Sequence, residues 1–275
     1  MRAKRASVRH QQHYGTPELD AKDSAGSLHT ADAIMTGPAM DGTPTPVAVS
    51  IVPKRVLFAL LAVISVLLLG AAVDAIATFG FGFETGRSTI RRHFELSAEN
   101  NIPTYFSALQ LLTAAALLGV IARHQAATRS PWRWHFLSLA VGFAFLSLDE
   151  AASIHETVLG RVGRFVLDDA FAFTWLGPGI VIGALTGLFY LRFLMALPRR
   201  FGRLFVISGA IFLAGAIGAE WIGSEIFRRW GFNWGHQIEV IVEEGLEMVG
   251  IAVFIYALLL YIAENGIALS IRVKA

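Results

Sequence analysis

Apolar residues run almost unbroken through six stretches: Val56 to Phe79, Ile102 to Ile121, Trp134 to His155, Pro178 to Ala196, Leu204 to Phe227 and His236 to Ala263. Each is near or above the roughly 20 residues that a helix needs to cross a hydrocarbon core. A barrel strand needs only about 10, and an open sheet edge finds no hydrogen-bond partners in lipid, so the pattern argues against strands. It predicts an all-α fold, a polytopic transmembrane bundle of about six helices over residues 51–275. Ahead of it, Met1 to Ser50 mix Gly, Pro, Thr, Asp and Ala with no helical or strand period. Such a segment buries too little apolar surface to offset its ordering entropy, so residues 1–50 are expected to be a disordered cytoplasmic tail. Connections between the stretches are short, which places any chemistry in or beside the bundle.

Composition agrees. The 275 residues are 55% hydrophobic and 16% charged, whereas a soluble domain carries about 25% charged residues. A net charge of +2 offers no basic excess for nucleic acid, and the absence of cysteine removes disulfides, thiolate catalysis and iron–sulfur ligation. Oxygen and imidazole groups are left to do the chemistry. Lys54, Arg55, Arg123, Arg129, Arg133, Arg192, Arg199, Arg200 and Arg203 flank the stretches on one side. By the positive-inside rule, that bias predicts both termini cytoplasmic. Trp132 and Trp134 on that side, and Trp175, Trp230 and Trp234 on the other, fit interfacial aromatic belts.

Gly179, Gly183 and Gly187 repeat at four-residue spacing, as do Ala210, Ala214 and Gly218. Small residues stacked on one helical face allow close backbone approach, so both stripes predict helix packing within the chain. The glycine stripe could alternatively pair two copies in a homo-oligomer. Membrane lipids are expected neighbours, and a small-molecule or lipid-like substrate fits a pocket among the helices.

The acidic residues change the picture most. An Asp or Glu in a span costs roughly 2.5–3.5 kcal/mol on insertion scales, yet several remain here. The third stretch ends in Asp149, Glu150, Ser153, His155 and Glu156; the fifth carries Glu220 and Glu225; the sixth opens with His236, Glu239, Glu243, Glu244 and Glu247. Alternating spans bring all of these to the same half of the bilayer, the non-cytoplasmic half. At about 100° per residue, His236, Glu239, Glu243 and Glu247 form one stripe, and Asp149, Ser153 and Glu156 fall within an arc of about 60°. These stripes should face one another around a buried pocket. Carboxylates so close cannot all be ionised without a counter-charge. Protons, Arg side chains such as Arg228 and Arg229, or a metal cation would each solve the problem. Asp149, His155, Glu156, Glu243 and Glu247 are the expected ligands of a divalent metal ion, with zinc, iron or manganese suited to oxygen and imidazole donors. Glu220 and Glu244 are the candidate proton acceptors in catalysis. Glu239 and Glu225 lie near helix ends and are expected to be solvated, whereas His236, at the interface, reads equally as a solvated side chain or as part of the polar stripe. Asp74 reads as a helix-terminus residue, and Ser107, Gln110 and Thr113 as hydrogen-bonding glue between helices.

The strings Phe145-Leu146-Ser147-Leu148-Asp149-Glu150-Ala151-Ala152-Ser153-Ile154-His155-Glu156 and Val242-Glu243-Glu244-Gly245-Leu246-Glu247-Met248-Val249-Gly250 resemble an uncharacterised group of bacterial six-helix inner-membrane proteins. A fainter resemblance is to the intramembrane metal hydrolases related to alkaline ceramidases. It implies that Asp149, Ser153 and His155 take part in a metal site and adds Ser153 to the catalytic candidates. The chain departs from that group in having no His-x-x-x-His pair on a late helix. Two functions compete: a metal-dependent enzyme on a lipid-like substrate, and a proton- or cation-coupled transporter. A non-catalytic structural or signalling membrane protein is the third. Only Gly177-Pro178-Gly179 reads as a helix break, where a transporter would have paired breaks.

Overall fold

A computed structural model describes residues 51–81, 93–96, 98, 101–167 and 175–267, except for the side chains of residues 156 and 164–167. The predicted tail lies outside the described residues, as do Glu99, Asn100, Arg272 and Lys274 of the C-terminal segment and second-span entrance. Among the described residues every regular element is helical, and six helices are long and apolar enough to cross a membrane. The fold has the build of a multi-pass membrane protein.

Local chemistry sets the helix ends. Helix α1, Pro53–Ala75, starts on a proline whose missing N–H costs nothing in a first turn, and a π turn over Ile76–Gly80 extends it. Asn101 caps α2, Ile102–Ala127, by accepting the Thr104 N–H at 3.0 Å. Helix α3, Arg133–Ala152, stops at Ser153, which is left-handed with φ 49° and ψ 44°. A π turn over His155–Leu159 then leads into the short α4, Gly160–Leu167. Helix α5 covers Leu176–Ala196 and ends at an extended Leu197 before Pro198. The fifth span is not a single α-helix. It comprises α6, Arg199–Leu213, a π turn over Ala214–Ala219, and α7, Glu220–Trp230. Gly231, with φ 64° and ψ −160°, makes a turn closed to L side chains. Asn233 caps α8, Trp234–Glu264, accepting from the N–H of Gly235 at 2.7 Å.

The last helix is the centre of the bundle. In the apolar window of α8, 61% of residues are buried inside the protein, against 6% for α5. Helices α1, α2, α6 and α7 and the Ala214–Ala219 turn all pack on α8, while α2 and α3 pair along their length. One apolar cluster joins Leu118, Phe136, Phe193, Phe254 and Leu258, and a second joins Ile64, Leu67, Met248 and Ala252. Lipid tails are as apolar as these side chains, so cohesion comes from close packing rather than from water exclusion. One close seam lies between α6 and α8, where a Cβ on Gly250 would stand 2.7 Å from the Phe212 backbone nitrogen.

Two sequence expectations need correction. The stripe of Ala210, Ala214 and Gly218 is not the packing face: both alanines are exposed, and a Cβ on Gly218 would meet nothing within 4 Å. Gly215 does the packing instead, because the π turn inserts a residue and offsets the helical face. On α5, Gly183 faces Ile217 and Leu213 of the neighbouring span, while Gly187 opens to the outside. The third helix also ends earlier than the apolar run, three residues before His155.

Candidate functional site

The left-handed break at Ser153 builds the first part of the site. Without it, Asp149 and His155 would sit about 600° apart around one helix, on different faces. The break folds the chain back, so the His155 backbone N–H donates to Asp149 Oδ1 at 2.7 Å and ring Nδ1 stands 3.0 Å from Oδ2. This corrects the expectation of one continuous arc through Asp149, Ser153 and Glu156. Ser153 contributes a backbone geometry there, and the Glu156 side chain is outside the described set. The His155 ring meets Trp175 edge-on, with centroids 4.9 Å apart. Trp175 Nε1 donates in turn to Glu220 Oε1 at 3.2 Å. Trp175 is thus more than a belt residue. It links the third and fifth spans through one ring.

Glu220, the first residue of α7, also stands within electrostatic reach of Glu243 of α8. Carboxyl groups so close cannot both be ionised without a counter-charge. The rest of the α8 stripe lies against glycines of the fifth span. A Cβ on Gly215 would stand 2.7 Å from the Glu243 carbonyl oxygen and 3.0 Å from Glu247 Cγ. One turn and more beyond, the Glu239 carboxyl group rests directly on Gly223. Glu244 is within electrostatic reach of Glu150, Glu220 and Glu239, and Glu247 of Glu244, Glu150, Glu220 and Asp149. The structure therefore brings together Asp149, His155, Glu220, Glu243, Glu244 and Glu247 from three spans.

Below this cluster, Ser107, Gln110, Glu150, Glu247 and Met248 line a cavity of ≈ 10 Å³, about the room of one water. Gln110 is 3% exposed, and its Nε2 points at the Met248 carbonyl at 3.5 Å. Its Oε1 is buried with no donor, an acceptor left beside two carboxyl groups. Gln110 is thus interhelical glue, as expected, and also faces the site.

Other residues moved. Glu239, expected in solvent, is 7% exposed and His236 8%, and His236 Nδ1 is 3.3 Å from Glu239 Oε2. Asn233 caps α8 just before them and turns this end inward. Asp74 is buried in the last turn of α1. Glu225 stays on the outer face with Arg228, whose Nη2 is 2.7 Å away, and Arg229. Those two arginines are therefore spent on Glu225 and do not reach Glu220 or Glu243. Among the described residues, no group of three His, Asp or Glu side chains is arranged to hold a metal ion.

The family model of a domain of unknown function, DUF8692, matches residues 46–262. The chain belongs to this family. The DUF8692 domain spans all six apolar helices and the whole carboxylate cluster, and leaves out most of the N-terminal segment. No curated protein and no solved structure matches the chain.

Proposed function

We propose that the chain is a plasma-membrane protein, with both termini cytoplasmic, whose carboxylate cluster takes up and releases protons in the non-cytoplasmic half. In this reading it is a proton-coupled carrier of a small solute or cation. The carrying observation is the juxtaposition of the Glu220 and Glu243 side chains where α7 packs on α8, because carboxyl groups so close cannot both be ionised without a counter-charge. Ionisable residues inside spans characteristically mark proton relays. Glu244, Glu247 and Glu150 stand within electrostatic reach as further acceptors, and the small cavity joins Gln110 to Glu150 and Glu247. The π turns beside Glu220 and His155 support the same reading, because such turns recur at functional sites and supply the discontinuous helices that carriers use.

One observation favours the enzyme as a second reading. Asp149 holds His155 Nδ1 at 3.0 Å, as in carboxylate–histidine–metal arrangements. A divalent cation beside His155 would have to draw Glu243 or Glu247 toward it, since no three such side chains stand ready among the described residues, and would activate a water against a lipid-like substrate. Glu220, Glu244 or Ser153 would then handle protons.

The test is reconstitution into liposomes loaded with a pH-sensitive dye, together with infrared spectra of the purified protein. The wild type is expected to pass protons and to show a protonated carboxyl band, both lost in Glu220→Gln and Glu243→Gln. If both variants keep the wild-type band and flux, the proton-site reading fails. Stoichiometric metal that His155→Ala removes would place the enzyme first.

A further inference from the structure

The opposite end of the bundle holds a second feature. Between the end of α2 and the first turn of α3 runs a groove of ≈ 350 Å³, lined by Gly119, Ala122, Arg123, Ala126, Arg133, Trp134 and Leu137. That volume is in the range of small-ligand sites. Its floor is made of small residues, and its rim is two guanidinium groups and an indole. A Cβ on Gly119 would meet nothing within 4 Å, so the groove is open down to the α2 backbone.

We propose that this groove holds one anionic phospholipid, with its phosphate between Arg123 and Arg133 and an acyl chain along Gly119, Ala122 and Leu137. Charge complementarity argues for an anion. Among the described residues neither arginine has a carboxylate within ion-pair distance. Glu264, the acidic side chain at this end of α8, is paired with Arg200. Guanidinium groups bind phosphate oxygens through paired N–H donors, and the positive end of α3 adds to the field in its first turn. Position argues for a lipid rather than a soluble phosphate. Trp134 and Leu137 are 62% and 41% exposed on the outer surface of the spanning helix α3, where hydrocarbon is the neighbour. The Arg133 guanidinium lies 5.5 Å from the centroid of the Trp134 ring, which fixes a cation at interface depth. A zwitterionic choline lipid would set its ammonium group against the same two arginines.

The experiment is native mass spectrometry of the full chain released from nanodiscs of phosphatidylcholine with or without phosphatidylglycerol. The wild type is expected to retain one phosphatidylglycerol per chain in preference to phosphatidylcholine. Arg123→Gln with Arg133→Gln is expected to lower that retention about tenfold, in line with loss of a charge-assisted contact of about 1.4 kcal/mol. Gly119→Leu fills the floor without touching either charge and should lower retention as well; it also serves if the double variant does not fold. Millimolar inorganic phosphate should leave the lipid in place. Equal retention of the two lipids overturns the proposal, as does wild-type retention in the double variant or in Gly119→Leu. Displacement by phosphate alone assigns the site to a soluble anion and overturns the lipid assignment.

Discussion

Substituting Gly215 by Ala tests the seam that carries the carboxylate pair. The added Cβ would lie 2.7 Å from the Glu243 carbonyl oxygen, 3.0 Å from Glu247 Cγ and 3.1 Å from Leu246 Cβ. Ordinary contact begins near 3.4 Å, so the π turn and α8 must separate by about 0.7 Å. The nearest atom is backbone, and no rotamer change can relieve it. Overpacking of this kind costs about 1–3 kcal/mol, partly offset by the roughly 1 kcal/mol that Ala gains over Gly in a helix. The matched control is Gly218→Ala in the same turn, where the new methyl meets nothing within 4 Å; only the helical gain remains there. Denaturant-induced unfolding in detergent, followed by tryptophan fluorescence, compares the two. Gly215→Ala should be the less stable by about 1–3 kcal/mol and should weaken the protonated carboxyl band by displacing Glu243. Equal stability of the two variants would refute the close approach of these helices.

Three further outcomes follow from local geometry. Ser153→Gly should leave stability unchanged or raise it by up to about 1 kcal/mol, because glycine accepts the left-handed conformation freely; Ser153→Val should lower it, and thermal unfolding distinguishes the two. Trp175→Phe keeps a ring against His155 but removes the indole donor to Glu220, so a loss of about 0.5–1.5 kcal/mol is expected in the same assay. A Trp175→Phe protein as stable as wild type would count against that bond. Gly223→Ala should drive the Glu239 carboxyl group from its seat and open the His236 region, read as faster hydrogen exchange at the start of α8; unchanged exchange there would contradict the contact.

The spans were legible because length and apolarity in lipid decide them almost alone. Pro53, Asn101 and Asn233 mark helix starts by known chemistry, and the convergence of Asp149, Glu220, Glu243 and Glu247 follows from counting spans. The breaks were not legible. Ser153 sits in Ala151-Ala152-Ser153-Ile154-His155, a string that helix propensity carries straight through, and only tertiary packing selects its left-handed state. The π turn over Ala214–Ala219 hides likewise among small residues, so the packing glycine was sought at Gly218 and found at Gly215. Glu239 is buried against expectation because nearness to a helix end says little about solvent once a neighbouring glycine, Gly223, leaves room for a carboxyl group. Trp175 carried a belt signal that masked its indole N–H.

The π turn before Glu220 has a dynamic consequence. A π turn is a spare residue accommodated inside a helix, and it can slide without unwinding the segments on either side. If the spare residue moved past Glu220 toward Trp230, Glu220 would shift by one residue, about 100° around the axis and about 1.5 Å along it. That motion would break the bond to Trp175, part Glu220 from Glu243 and turn the carboxyl group to a new surface. Deleting Ala216 would remove the spare residue and hold Glu220 in a single orientation, so the fifth span would keep its packing and lose its only internal gear.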